Sequence, residues 1–150
     1  MAGDTVLVPV YKSEDCADLP LPGYMTLGAS GMDLYAAVQD ELKLFPGGRA
    51  LIPTGLYAAV PQGYELQVRP RSGLAVKYGI GILNAPGTID SDYRGEIKII
   101  MINMGQEPFT VKRGERVAQI VLCPVARAKL ELQNELPATE RSDGGFGHTG

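Results

Sequence analysis

Six segments of the chain carry apolar residues in patterns typical of β-strands, either alternating with polar residues or rich in β-branched types. Short stretches rich in glycine, proline and asparagine separate them, and such stretches are typical of turns. Many short strands joined by regular turns predict an all-β barrel or sandwich. The six predicted strands are 5–12, 51–60, 64–70, 96–104, 116–122 and 128–136.

One short helix is predicted after Pro70. Ser72 is expected to be its N-cap and Gly79 its end, around the sequence "GLAVKYG". A helix N-terminus presents unpaired backbone amides and the positive end of the helix dipole, and Arg71 adds a guanidinium beside them. These groups together predict a site for an anion.

Composition narrows the classes of function. The chain has 150 residues, which fits one domain, and 45% of them are hydrophobic, which excludes a disordered chain. The net charge of −3 argues against a general nucleic-acid binder, because such a protein needs a basic face. It leaves room for a small phosphorylated ligand held by a few arginines.

The cysteines and the absence of targeting signals predict the compartment. Cys16 and Cys123 lack the spacing of metal ligands or of a redox motif, and Cys123 lies in an apolar run, where we expect a buried free thiol. The sequence begins with no secretory signal and contains no apolar stretch that approaches 18 residues. We therefore expect a cytoplasmic protein without a membrane segment.

The stretch "PRSGLA" at 70–75 combines Arg71, the Ser72 hydroxyl and an unhindered amide at Gly73. These groups suit two or three phosphate oxygens. The alternative is a plain strand-to-helix turn with an arginine in solvent. Gln119, inside the apolar run "RVAQIVL" at 116–122, is an amide that needs a partner, and that partner is either a ligand or a cross-strand hydrogen bond.

The stretch "GTIDSDYRGE" at 87–96 places Asp90 and Asp92 two residues apart. In an extended strand they would share one face, and the like charges would raise one pKa. In a turn their roles would be separate, and the stretch could also be no more than a charged hairpin tip. Asp33 in "ASGMDLYAA" at 29–37 is the one acid in an apolar strand that should bury Leu34.

The last ten residues, "RSDGGFGHTG" at 141–150, have no strand pattern. Phe146 lies among glycines, and an aromatic ring on a glycine-rich segment suits stacking on a planar ligand. The alternative is a disordered tail.

Five of these stretches resemble, in order and spacing, the five motifs of the trimeric dUTP pyrophosphatases, or dUTPases. The resemblance covers residues 31–150 and implies a jelly-roll-like subunit, with one short helix, in a C3 homotrimer. It also implies that residues 1–140 form the domain and residues 141–150 a lid over a neighbouring subunit's active site. The five stretches are "SGMDLYA", "PRSGLA", "GTIDSDYRGE", "RVAQIVL" and "RSDGGFGHTG".

The resemblance implies hydrolysis of dUTP to dUMP and pyrophosphate, with water attacking the α-phosphorus in line. Asp90 matches the general base that orients this water and bonds the sugar 3′-hydroxyl. Tyr93 matches the residue whose ring packs under deoxyribose and excludes a 2′-hydroxyl. Asp92 and Arg94 are expected to hold the hairpin, so the two carboxylates are not a shared-proton pair.

The same resemblance assigns the substrate contacts and a metal. The hairpin backbone would read the uracil edge, Phe146 would stack on uracil, and Arg141 would bind the γ-phosphate. Mg²⁺ is expected on the phosphates, with Asp33 holding one of its waters. The expected contacts to the uracil edge are Asn84, Thr88 and Ile89, and Lys98 just beyond them is expected to touch the substrate. Those to the phosphates are Arg71, Ser72, Gly73 and Gln119.

Two residues of the tail depart from the family pattern, and two other functions compete. Ser142 stands where glycine is common, and His148 where serine is usual. One rival is a dCTP deaminase of the same fold, which needs a catalytic glutamate and a cytosine pocket. The other is a non-catalytic regulator that binds dUTP or a protein partner.

Overall fold

The structure is a computed structural model that describes residues 5–147. Within these residues the chain forms short and medium strands, one α-helix and a single 3-10 turn at Glu14–Cys16. The strands are β1 Val10–Lys12, β2 Met32–Tyr35, β3 Leu42–Leu44, β4 Arg49–Ala58, β5 Tyr64–Arg69, β6 Ile80–Ile82, β7 Gly87–Ile89, β8 Glu96–Asn103, β9 Phe109–Val111 and β10 Arg116–Pro124, and the helix α1 is Ser72–Tyr78.

The strands form two four-stranded antiparallel sheets and a small two-stranded one. Their orders are β1-β4-β8-β6, β2-β10-β5-β7 and β3-β9. The two larger sheets contribute alternate side chains to one apolar core, for example Ile97, Ile99 and Met101 from β8 and Leu66 and Val68 from β5. This inward alternation is what a two-layer β fold requires. The prediction of an all-β fold with one short helix is confirmed.

The end of the helix was predicted correctly and its beginning was not. Gly79 ends α1 in the left-handed conformation, with φ of 71°, and its amide donates to the Ala75 carbonyl at 2.9 Å. Ser72 is the first helical residue and not the N-cap. Arg71 takes the N-cap position because its backbone is still extended, and no side chain caps the helix there. Within residues 5–147, no helix combines the length and apolar character that a membrane crossing requires.

The predicted strand at 128–136 is wrong. After β10 the described residues form no further strand, and the leucines of the alternating pattern, including Leu130 and Leu132, are almost fully exposed. Alternation predicts which side chains could share a face, but a strand also needs a neighbouring backbone to pair with. Within residues 5–147, the segment 128–136 has no such neighbour. Cys123 is a free thiol as predicted, but it is partly exposed and not buried.

Candidate active site

A buried carboxylate on β2 joins two of the segments that carry predicted phosphate binders. Asp33 on β2 is only 5% exposed. Its Oδ1 lies 3.6 Å from Arg71 Nε and 3.4 Å from Gln119 Nε2, and its Oδ2 accepts a hydrogen bond from Arg116 Nη1 at 3.2 Å. The two guanidiniums against one carboxylate leave one positive charge in excess. The structure therefore brings Asp33, Arg71 and Gln119 together as one cluster, which we call the phosphate cluster and which also includes Arg116.

Arg116 is the member of this cluster that the sequence did not indicate. Gln119 lies directly opposite Asp33 in the pairing of β10 with β2, but Arg116 is three positions away from Gln119. In a regular strand, residues at that spacing point to opposite faces. An irregularity in the register between Arg116 and Ala118 brings Arg116 to the face of Asp33, and alternation alone cannot predict such a bulge.

The loop before α1 is tied to the same cluster. Arg71 Nη1 donates a hydrogen bond to the Arg116 carbonyl at 2.7 Å. Ser72 and Gly73 follow as the first exposed residues of the helix, and a side chain at Gly73 would meet no atom within 4 Å. Arg71 and Arg116 line one cleft, together with Tyr35, whereas Ser72 and Gly73 do not line it.

The second group of predicted residues lies in the segment 87–96, which joins β7 of the second sheet to β8 of the first. Because β7 and β8 do not pair, this segment is a turn between the sheets and not the expected hairpin, and we call it the 87–96 turn. β7 ends at Ile89, and the chain turns at once, because the Tyr93 amide donates to the Asp90 carbonyl at 3.2 Å. Of the two alternatives for Asp90 and Asp92, the turn is correct and the extended strand is wrong. Both carboxylates are exposed. Arg94 Nη1 donates to the carbonyls of Ser91 and Tyr93 at 2.8 and 2.9 Å, so it holds the turn.

The Tyr93 ring is fixed from two sides. Its hydroxyl donates to the Glu96 carbonyl at 2.9 Å, and the ring lies directly over Gly95. A Cβ at Gly95 would collide with that ring, so only glycine lets the ring lie in this position. The side chain remains 45% exposed, which leaves ring surface free to contact a ligand.

The other predicted base and sugar contacts surround this turn. Asn84 and Thr88 are exposed, whereas the Ile89 side chain is buried, so Ile89 can meet a ligand only through its backbone. Lys98 is exposed on β8, with its Nζ 3.6 Å from Glu96 Oε2. Asn84, Thr88 and Ile89 thus lie in and beside β7, whereas Lys98 lies on β8 in the other sheet.

The phosphate cluster and Thr88 of β7 lie on the same face of the second sheet, but the cluster and Asp90 do not share a cleft. Gln119 pairs with Arg69 of β5, and Thr88 pairs with Gln67 of the same strand, so both side chains point to the face that carries Asp33. Two strand spacings, about 10 Å, separate β10 from β7. Yet Asp90 lines a cleft with Arg127, and none of the described residues of that cleft also lines the cleft of Arg71.

The tail lies apart from both groups. Arg141 Nε donates to the Gly144 carbonyl at 2.7 Å, and the Phe146 side chain is fully exposed. Ser142, where the resembling family commonly has glycine, adopts a positive φ of 49°, a conformation that glycine adopts with less strain. His148 lies outside the described residues.

Comparison with known proteins gives the family. The family model described as dUTPase matches residues 17–150. The chain belongs to the dUTPase family. It is 56% identical over 146 residues to the deoxyuridine 5′-triphosphate nucleotidohydrolase of Caldanaerobacter subterraneus subsp. tengcongensis, and the match covers 97% of this chain and 99% of that protein.

Solved structures share the fold at low sequence identity. The dUTPase of Staphylococcus bacteriophage 80alpha, solved with dUPNHPP, superposes with a TM-score of 0.86 at 24% identity and covers 97% of this chain and 99% of its own. A mutant dUTPase of phage phi11 of S. aureus, described for its coordination of a structural Mg(II) ion, superposes with a TM-score of 0.76 at 22% identity, covering 87% and 98%. The jelly-roll-like dUTPase fold expected for this family chain is therefore confirmed.

Proposed function

We propose that this chain hydrolyses dUTP to dUMP and pyrophosphate, and so keeps dUTP low and supplies dUMP. The observation that carries the proposal is the full-length likeness to the Caldanaerobacter nucleotidohydrolase. The geometry supports the same reaction, because an exposed carboxylate, a cluster with excess positive charge and a fixed tyrosine ring all belong to one subunit surface. Nothing in the reaction requires the protein to form a covalent intermediate.

Asp90 is the proposed general base. Its carboxylate is exposed at the start of a turn that is held by backbone and arginine hydrogen bonds, so the backbone position of Asp90 is defined before substrate binds. A carboxylate placed this way accepts a proton from water as that water attacks the α-phosphorus in line. The oxygen of the leaving pyrophosphate takes the electrons of the broken P–O bond.

The segment from Asn84 to Glu96 is proposed to recognise the base and the sugar. The backbone around Asn84, Thr88 and Ile89 offers amides and carbonyls to the uracil edge, and cytosine would leave such groups unpaired. A hydrogen-bonding site rejects a mismatched edge far better than an apolar pocket does. The fixed Tyr93 ring would contact deoxyribose where ribose carries its 2′-hydroxyl, and Lys98 would contact substrate at the edge of the site.

The phosphate cluster is the proposed triphosphate site. Arg71 and Gln119 are held on one carboxylate, and charge-assisted hydrogen bonds from such groups are about twice as strong as neutral ones. Ser72 and Gly73 add a hydroxyl and an unhindered amide beside them. Arg141 would bind the γ-phosphate from the tail, while Phe146 covers the base.

The residues present fit a magnesium ion that is bound mainly by the substrate. Within residues 5–147, no group of three or more His, Cys, Asp or Glu side chains could hold a metal ion. Asp33 gives its two oxygens to three protein donors, and a carboxylate offers about four acceptor positions, so one remains for a metal-bound water. When bound on the phosphates with its waters, Mg²⁺ would neutralise charge that develops on the leaving pyrophosphate.

We propose a homotrimer with active sites shared between subunits. In one chain Asp90 and Arg71 line separate clefts, so a complete site needs a second copy. The outward face of the first sheet is apolar where Leu51 pairs with Ile100, and Leu51 is largely exposed, which suits burial against another copy. The exposed leucines of 128–136 suit the same role.

We further propose residues 1–140 as the domain and residues 141–150 as its lid. The tail's hydrogen bonds among the described residues join only positions 139–144, and none of residues 5–147 covers the Phe146 side chain, which is fully exposed. The cytoplasm is the proposed compartment, because Cys16 and Cys123 are both free, as expected where thiols stay reduced.

A pyrophosphate-release assay with dUTP, dCTP, UTP and dTTP tests the reaction. The proposal expects release from dUTP in the presence of Mg²⁺ and little from the other three. Ammonia release from dCTP would instead indicate the deaminase, and tight dUTP binding without turnover would indicate the non-catalytic regulator. Either result would overturn the proposed function.

A further inference from the structure

We infer that Arg116 is a positioning residue for the phosphate cluster, acting through Asp33 on Arg71 and Gln119. The inference rests on the proposed function for the nature of the ligand, a triphosphate. Arg116 is not expected at this site from the alternation of β10, and it does not line the cleft that Asp90 lines. The two oxygens of the buried Asp33 carboxylate bind different partners, and this difference supports the inference.

The two oxygens of Asp33 have different partners. Oδ1 faces Arg71 Nε and Gln119 Nε2, the two groups that are proposed to bind phosphate. Oδ2 has Arg116 Nη1 as its partner at 3.2 Å. Because Asp33 is buried, an Oδ2 without that donor would be a poorly solvated negative oxygen, and the carboxylate would rotate to share its remaining donors. Such a rotation moves both phosphate-binding side chains.

A second contact links Arg116 to Arg71. The Arg116 carbonyl accepts a hydrogen bond from Arg71 Nη1 at 2.7 Å, while Nε of the same guanidinium faces Asp33. Arg71 is thus held at two points, one from the backbone of residue 116 and one from the carboxylate that the Arg116 side chain orients. A neutral substitution at 116 keeps the carbonyl but removes both the path through Asp33 and one positive charge, and a double-mutant cycle with Asp33→Asn separates these two effects.

The bulge gives this arrangement a structural cause. The register irregularity between Arg116 and Ala118 is what brings Arg116 to the same face as Gln119. Bulges re-aim a side chain at the expense of regular pairing. Here the re-aimed side chain reaches the one buried carboxylate of the cluster, and Arg116 itself stays partly exposed, with a side-chain exposure of 42%.

The test is a set of binding measurements on the full chain with Arg116→Gln, Arg116→Lys and the control Lys43→Gln. Lys43 is an exposed cation on β3, so its loss removes the same charge without touching Asp33. The probes are a non-hydrolysable imido analogue of dUTP, deoxyuridine, which has no phosphate, and inorganic tripolyphosphate. Calorimetry, or competition where binding is weak, gives the dissociation constants.

Arg116→Gln should weaken the binding of the imido analogue and of tripolyphosphate about tenfold, which is the effect of losing a residue that holds a ligand-binding group in place. The dissociation constant of deoxyuridine should change less than about twofold. Arg116→Lys should lie between Gln and wild type, because it keeps the charge and a donor but loses the planar fork. Lys43→Gln should match wild type. Equal weakening of all three probes, or no difference from Lys43→Gln, overturns the inference.

A double-mutant cycle with Asp33→Asn separates positioning from direct contact. If Arg116 acts through Asp33, the effect of Arg116→Gln on the analogue should largely disappear in the Asp33→Asn background. Additive effects would mean that Arg116 touches phosphate by itself, and the inference would be wrong. If the Gln variant fails to fold, Arg116→Lys carries the same comparisons. A wild-type chain that did not hydrolyse dUTP would refute the proposed function, while the tripolyphosphate arm would still decide on Arg116.

Discussion

Gln119 and Asp33 lie directly opposite each other on β10 and β2, with Gln119 Nε2 3.4 Å from Asp33 Oδ1. The polar residue inside the apolar run of β10 therefore has a charged partner, and the same carboxylate also holds Arg71. Of the two partners considered for Gln119, a ligand and a cross-strand hydrogen bond, the single chain provides the hydrogen bond. It is compatible with a ligand contact, because Gln119 remains partly exposed.

The first prediction concerns this carboxylate. Asp33→Ala removes the partner of two arginines and one amide, so it should lower the free energy of unfolding by about 1–3 kcal/mol. It should also strongly weaken binding of the dUTP analogue, because Arg71 and Gln119 lose the carboxylate that both contact. Urea unfolding and calorimetry measure the two effects. The matched control, Asp92→Ala, removes an exposed carboxylate and should change the unfolding energy little; equal losses in both variants would contradict the anchoring role.

The second prediction concerns the base. Asp90→Asn keeps the size and shape of the side chain but removes the proton acceptor. Turnover of dUTP should fall roughly 10²–10⁴-fold, with the analogue still bound. Steady-state kinetics with pyrophosphate detection measures the fall, and a rate within a factor of about three of wild type would refute the assignment.

The strands that could be predicted are those whose alternation coincides with two layers of packing. β4, β5, β8 and β10 were predicted within a few residues, because each buries alternate side chains in the core. The same rule failed at 128–136, since a pattern of side chains carries no information on whether another backbone is available to pair.

The site was predictable in its parts but not in its geometry. The motif resemblance indicated Asp33, Arg71 and Gln119 separately, and only the register of β2 with β10 shows that they share one cluster. Arg116 depends on a bulge, and the need for Gly95 depends on where the Tyr93 ring lies. Both are consequences of tertiary packing, which one-dimensional periodicity does not encode.

The third prediction uses the contact between Tyr93 and Gly95. Gly95→Ala places a methyl group where the ring lies, so the ring must move and the sugar contact with it. The ratio of dUTP to UTP turnover should therefore drop in Gly95→Ala, as it should in Tyr93→Ala. Gly63→Ala is an unsuitable control because of its positive φ, whereas a Cβ at Gly23 meets no atom within 4 Å, so Gly23→Ala should leave the ratio unchanged. An unchanged ratio in both Gly95→Ala and Tyr93→Ala would mean that another residue excludes ribose.

The fourth prediction concerns acid stability. Arg113 binds Asp18 through two hydrogen bonds, of 2.8 and 3.0 Å, and these hold the pKa of the Asp18 carboxyl below its ordinary value of 3.8. A carboxyl whose pKa is lower in the folded state stabilises the fold at pH well above 3.8 and loses that contribution as the pH falls through its folded pKa.

Asp18→Asn should therefore reduce the free energy of unfolding at neutral pH and flatten its decline in acid. Urea unfolding across a pH series measures both effects. Asp40→Asn replaces another exposed carboxylate, one outside the ion pairs of the described residues, and should follow the wild-type curve. Parallel curves for Asp18→Asn and wild type would show that the pair adds nothing to stability.

The last prediction concerns the tail, which we propose is a lid donated to a neighbouring subunit. Phe146 is fully exposed and, among the described residues, Arg141 binds only within the tail, so the described part of 141–150 contributes nothing to the core. The truncated chain should keep its assembly and melting temperature. Its activity should fall strongly, because stacking worth about 1–3 kcal/mol and a charge-assisted contact of about 1.5–3 kcal/mol are lost together.

Mixed assemblies decide whether the lid acts across subunits. The truncated chain lacks a tail and Asp90→Asn lacks a base, so reassembly of the two gives some sites that combine an intact Asp90 with a donated tail. If tails cross between subunits, activity should rise above that of either parent, with native mass spectrometry confirming that the assemblies are mixed. Tails that close on their own chain would leave every site defective in one component. The mixture would then show only the average of its parents, and the cross-subunit lid would be wrong.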